Sequence, residues 1–84
     1  MKTQFFQKIE FLLTILEDRV ENDHTSQITL LLKEMHKIAH ELGGAILEHF
    51  LELQREAKRY LKDSKHLPAL KARILTLRNE FWEL

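Results

Sequence analysis

The chain has 84 residues, enough for one small domain with a simple and regular core, because a chain this short removes only about 60 to 65% of its unfolded surface from water. Thirteen Lys and Arg balance thirteen Asp and Glu, so no net charge draws the whole molecule towards nucleic acid or anionic lipid. The lack of cysteine excludes disulfides, thiolate chemistry and thiolate metal sites.

Two glycines and one proline predict an almost wholly helical chain. Met1-Lys2-Thr3-Gln4 runs straight into an amphipathic segment, without the apolar stretch and small-residue cleavage site of a leader. No apolar run approaches the roughly 20 residues of a membrane span. A soluble, cytoplasmic protein is expected.

The first segment, about Thr3 to Asn22, places Phe5, Ile9, Leu12, Leu13, Leu16 and Val20 three or four residues apart, the spacing of one helix face. Phe11 and Ile15 stand one turn apart on the side opposite that stripe, so both are candidate partner-binding residues. Asn22-Asp23-His24-Thr25-Ser26 is rich in N-cap types, which places a helix end and a new start there. The second segment, about Thr25 to Leu42, carries Ile28, Leu31, Leu32, Met35, Ala39 and Leu42. Gly43-Gly44 follows, and glycine ends helices because it enters the left-handed region without a steric cost.

The third segment, about Ala45 to Lys62, repeats the pattern with Ile46, Phe50, Leu53, Ala57, Tyr60 and Leu61. Asp63-Ser64-Lys65-His66 is a polar turn, and Pro68 suits the first turn of the next helix, where its missing N–H costs nothing. The last segment shows Leu67, Leu70, Ile74, Leu77, Phe81 and Leu84. Trp82 falls roughly 110° from the centre of that stripe, a further candidate anchor for a partner. Four helices of similar length joined by short turns predict an all-α, antiparallel up-down-up-down four-helix bundle. The stripes on either side of Gly43-Gly44 stay nearly in phase, which leaves an alternative: one long kinked central helix, with dimerisation closing the bundle. Tandem glycines cost about 2 kcal/mol inside a helix relative to alanines, which favours the break.

Within the second segment the stretch Ala39-His40-Glu41-Leu42-Gly43-Gly44 displays a reactive side chain. At 100° per residue His40 projects roughly 140° from the centre of the core stripe and should meet solvent. Lys33, Lys37 and Gly44 share that outward face, His36 sits on its flank, and Glu41 adjoins it. An anion attached to the imidazole would find positive charge close by, and a partner could approach over the bare glycine.

These residues resemble the signature of the histidine-containing phosphotransfer (HPt) domains of bacterial and plant phosphorelays, four-helix bundles with the motif Ala-His-x-Leu-Lys-Gly. Ala39, His40, Leu42 and Gly44 match it, and Gly43 replaces the lysine. The stretch Leu51 to Leu84, with Arg78-Asn79-Glu80-Phe81, is similar to the last two family helices. The family's helix continues past its glycine, whereas this chain proceeds directly to Ala45-Ile46-Leu47-Glu48, so His40 is expected near a helix end.

The resemblance implies phosphoryl carriage rather than turnover by a stand-alone enzyme, with His40 as phosphoacceptor. Lys33, Lys37 and Gly44 would neighbour the phosphate; Phe11, Ile15, His36, Glu41 and Trp82 would meet the partner. A neutral imidazole keeps a lone pair on one ring nitrogen, which can attack the aspartyl phosphate of a response-regulator receiver domain. A histidine kinase is the other implied partner in such two-component signal transduction. No cofactor is expected on this chain, because the magnesium and catalytic aspartates belong to the receiver.

Three other constellations stand beside this one. His36 and His40 have the i, i+4 spacing of a metal clamp, but zinc needs a third protein ligand and none is suitably placed, so no metal site is expected. From Arg55 to Arg78, eight basic residues face only Glu56 and Asp63, which raises nucleic-acid binding as a lesser alternative. The principal alternative is a small non-catalytic helical adaptor or inhibitor acting through protein–protein contacts, possible as a homodimer.

Overall fold

In the computed structural model the described residues are 2–17 and 25–81, and all their regular structure is helical. Helix α1 spans Lys2–Glu17, α2 Thr25–Leu42, α3 Gly44–Lys62 and α4 Leu67–Phe81, with a single 3-10 turn at Ser64–His66 before α4. Val20, the cluster Asn22-Asp23-His24, Trp82 and Leu84 lie outside the described residues. The principal extents of 35 × 19 × 18 Å are those of helices laid side by side.

Each helix packs against its chain neighbour, and α4 closes against α1. Phe5 and Phe50 meet edge to face at 5.9 Å, joining early α1 to early α3. His36 of late α2 lies 6.1 Å from Phe50, and His49 of early α3 lies 5.1 Å from Phe81 at the end of α4. The core between the helices is entirely apolar: Phe5, Ile9, Leu12, Ile28, Met35, Phe50, Leu53, Leu70, Ile74 and Leu77 are buried, and no polar or charged side chain among the described residues is. Burial of that surface, at about 25 cal/mol per Å² of apolar area, is the main force holding the bundle.

Gly43 ends α2 at φ 65°, ψ −165°, with its N–H donating to the Ala39 carbonyl at 2.8 Å. Gly44 follows at φ 59° and opens α3. The two helices separated by this break pack on each other, so the alternative of one long kinked helix does not hold. At the other end of α3, Asp63 leaves helical geometry and its carboxylate accepts the Lys65 N–H at 3.0 Å. Pro68 then occupies the first turn of α4, where no intrahelical partner awaits an N–H.

The buried arc of α1 is wider than its periodicity predicts. Ile15, expected opposite the core stripe, is only 7% exposed, and Phe6 is buried as well. The reason is that α1 is flanked on two sides: Lys8 reaches α2 at Glu34 (2.7 Å), and Glu10 reaches α4 at Arg78 (3.1 Å). Ile15 projects close to Lys8 on the α2-facing flank, roughly 120° from the stripe centre but still under cover.

The Lys8–Glu34 pair gives a pH signature. The hydrogen bond from the Lys8 ammonium, and then its charge, hold the Glu34 carboxyl below its ordinary range. A lowered folded-state value stabilises the fold above the ordinary carboxylate range and loses that stabilisation as pH falls through it. Glu34→Gln is therefore expected to have a slightly lower urea midpoint than wild type at neutral pH. The gap should close as pH falls below 4.5. Because Glu34 is exposed, the effect is small.

Candidate functional site

The candidate site is the outward face of α2 and its last turn. His40 is exposed, Lys33, Lys37 and Glu41 are exposed with it, and His36 is half-buried on the flank, as the helix phase predicts. The stripe Ile28, Leu31, Leu32, Met35 and Ala39 is buried on the far side and fixes the rotation of α2. Exposure of His40 follows from that apolar spacing rather than from any local device.

The break immediately after Leu42 puts His40 in the last turn of α2. Carbonyls at a helix C-terminus carry partial negative charge, so a dianion on the His40 ring would depend on side-chain cations for its compensation. Lys37 stands three residues before His40 and Lys33 seven, both on the same face. Gly44 is placed differently from expectation. It does not extend the outward face of α2 but starts α3, because two successive positive-φ residues have turned the chain. It still leaves open space: among the described residues, a Cβ on either glycine meets nothing within 4 Å.

The rings of His36 and His40 are 6.2 Å apart and tilted by 56°. Among the described residues no three of His, Cys, Asp and Glu gather as a metal site. Of the basic residues from Arg55 to Arg78, Arg59 pairs with Glu56 at 3.1 Å, Arg73 with Glu52 at 2.7 Å, and Arg78 with Glu10 at 3.1 Å. The first pair lies within α3, the other two join α4 to α3 and to α1, and all three lower the free positive charge of that stretch. No helix among the described residues is long and apolar enough to cross a membrane.

Of the expected partner-binding residues, Phe11 is 57% exposed and lines a groove with Gln4, Gln7, Lys8, Leu31 and Glu34. Ile15 is buried and is not available to a partner, and Trp82 lies outside the described residues. Leu30 was not apparent from the periodicity, yet it is 62% exposed and lines a second groove that includes Lys33, Glu34, His36, Lys37 and Gln54. Its signal was present in Leu30-Leu31-Leu32, since three consecutive leucines span about 200° and cannot all face one core. Glu34 borders both grooves, so Phe11 and Leu30 flank the Lys8–Glu34 ion pair.

The chain matches no protein-family model, no curated protein and no solved structure.

Proposed function

We propose that this bundle is a phosphocarrier in which His40 accepts a phosphoryl group from, or returns it to, an aspartate of a receiver domain. The observation that carries the proposal is the exposed His40 imidazole on the same helix face as Lys33 and Lys37. A lone pair on a ring nitrogen attacks phosphorus, the N–P bond forms, and the P–O bond to the aspartate breaks with release of its carboxylate. Lys37 and Lys33 offset the incoming negative charge, and the open backbone at Gly43 and Gly44 leaves room for the partner. The chain contributes a nucleophile, charge and a surface, while the partner supplies the metal and the acidic catalytic residues.

Incubation with a phosphorylated receiver domain tests this directly. Wild type is expected to acquire acid-labile phosphate, His40→Gln none, and Lys37→Gln less at a given time. Equal labelling of wild type and His40→Gln, or no labelling of either, overturns the proposal.

A second reading, a helical adaptor without phosphate chemistry, is favoured by the exposure of Phe11 and Leu30. Phe11→Ser should leave stability within about 0.5 kcal/mol of wild type in urea unfolding, since its ring is largely in solvent. Under the phosphocarrier reading this variant labels more slowly and His40→Gln still binds the receiver. Partner binding that Phe11→Ser abolishes, by a chain that never carries phosphate, would establish the adaptor instead.

A further inference from the structure

His36 occupies a position that the sequence signature does not explain. Its ring packs 6.1 Å from Phe50, a fully buried core residue, and 6.2 Å from His40, which is exposed. One side of the imidazole is thereby fixed against the core while the ring remains half-exposed. Lys33 and Lys37 share the outward face, but as exposed four-carbon chains they have no such anchor. Among the cationic and donor side chains around His40, His36 is the one whose ring is held in place by the bundle core.

We infer that His36 is a positioning residue for the phosphorylated form of His40, donating a ring N–H to a phosphoryl oxygen; the inference rests on the phosphocarrier proposal above. The two rings lie one turn apart with centroids separated by 6.2 Å, so a phosphoryl group on a His40 nitrogen that faces His36 brings its oxygens within reach of the His36 ring. A hydrogen bond of 2.7 to 3.2 Å closes that gap within one turn of α2. The bond has a kinetic consequence. As the N–P bond breaks, its electron pair stays on the imidazole and the phosphoryl group passes from a dianion towards a metaphosphate-like monoanion in a loose transition state, so a donor on its oxygens holds the bound state more strongly than the transition state. Loss of the His36 donor therefore speeds hydrolysis of the N–P bond. Glu34 and Glu41, on the same helix, do not substitute, because carboxylates accept and repel where a donor is required.

The test uses the full chain and a small-molecule donor, so it does not depend on any receiver. With phosphoramidate, the His40 lone pair forms the new N–P bond, the donor's N–P bond breaks, and ammonia leaves. Decay of the ³¹P resonance that is missing from His40→Gln then reports the lifetime of phosphorylated His40. His36→Phe keeps a ring against Phe50 but removes the donor, and it is expected to shorten the lifetime about threefold or more, the size of one net hydrogen bond, and to move the ³¹P shift. His36→Gln retains an N–H donor and should recover most of the lifetime. Equal lifetimes and shifts in wild type and His36→Phe overturn the inference. Should His36→Phe not fold, the ¹⁵N shifts of the His36 ring in wild type decide: a change on phosphorylation supports the contact, and none overturns it. A lifetime effect in a protein that exchanges no phosphate with receiver domains would overturn the phosphocarrier proposal while leaving this contact in place.

Discussion

Phe50→Ala is expected to remove about 3–5 kcal/mol of stability, the usual result of truncating a fully buried phenylalanine in a core that cannot collapse around the loss. Phe50 is 0% exposed and joins three helices, with its ring 5.9 Å from Phe5 of α1 and 6.1 Å from His36 of α2. The removed transfer energy and the cavity act together. At roughly 0.05–0.15 kcal/mol per residue, a domain of this size has little stability beyond that loss. Urea unfolding followed by circular dichroism should show a large fall in midpoint, or no cooperative transition at all. Phe50→Leu, which leaves a smaller void, should fall between the two. A loss under about 1 kcal/mol for the alanine variant would mean that the three helices do not converge on this ring.

Gly43→Ala is expected to cost about 1–3 kcal/mol, and the cause is confined to the backbone. Gly43 has φ 65° and ψ −165°, a region that residues with a Cβ rarely enter, while an added Cβ there touches none of the described residues within 4 Å. Packing therefore neither adds to the cost nor relieves it. Gly44, at φ 59°, lies in the left-handed region that asparagine tolerates, so Gly44→Asn should be milder than Gly44→Ala. Replacing both glycines with alanine acts in a different way. Each alanine favours an uninterrupted helix by about 0.8–1.0 kcal/mol, while the turn becomes strained, so α2 and α3 are driven to fuse. A fused helix cannot fold back on itself, and exchange of the α3–α4 half between two chains restores the core. Analytical ultracentrifugation should show the double variant as a dimer under conditions where Gly44→Asn keeps the wild-type state.

Both predictions bear on the candidate site. The Gly43-Gly44 break sets His40 in the last turn of α2, and Phe50 is what His36 leans on. Either change should therefore alter the surroundings of His40 without touching its own chemistry.

Much of this arrangement is legible in residue order. Apolar spacing in α2 puts Ile28, Leu32, Met35 and Ala39 inward and so puts His40, Lys33 and Lys37 outward, because a helix turns by about 100° per residue whatever surrounds it. The glycine pair ends α2 for an equally local reason, since only glycine takes those dihedral angles cheaply. The resemblance of Ala39, His40, Leu42 and Gly44 to a phosphotransfer signature is likewise a matter of sequence.

What periodicity does not carry is the number of neighbours each helix has. Burial of Ile15 and Phe6 follows from α1 lying between α2 and α4, which widens its covered arc beyond the stripe that spacing alone marks out. Leu30 is exposed because none of the described residues covers the outer side of α2, although the residue is as apolar as the leucines beside it. The ion pair between Glu10 and Arg78 and the ring contact between Phe5 and Phe50 join residues far apart in the chain. Local rules fix the direction in which a side chain leaves its own helix; whether it then meets solvent or protein depends on how the helices are packed around it.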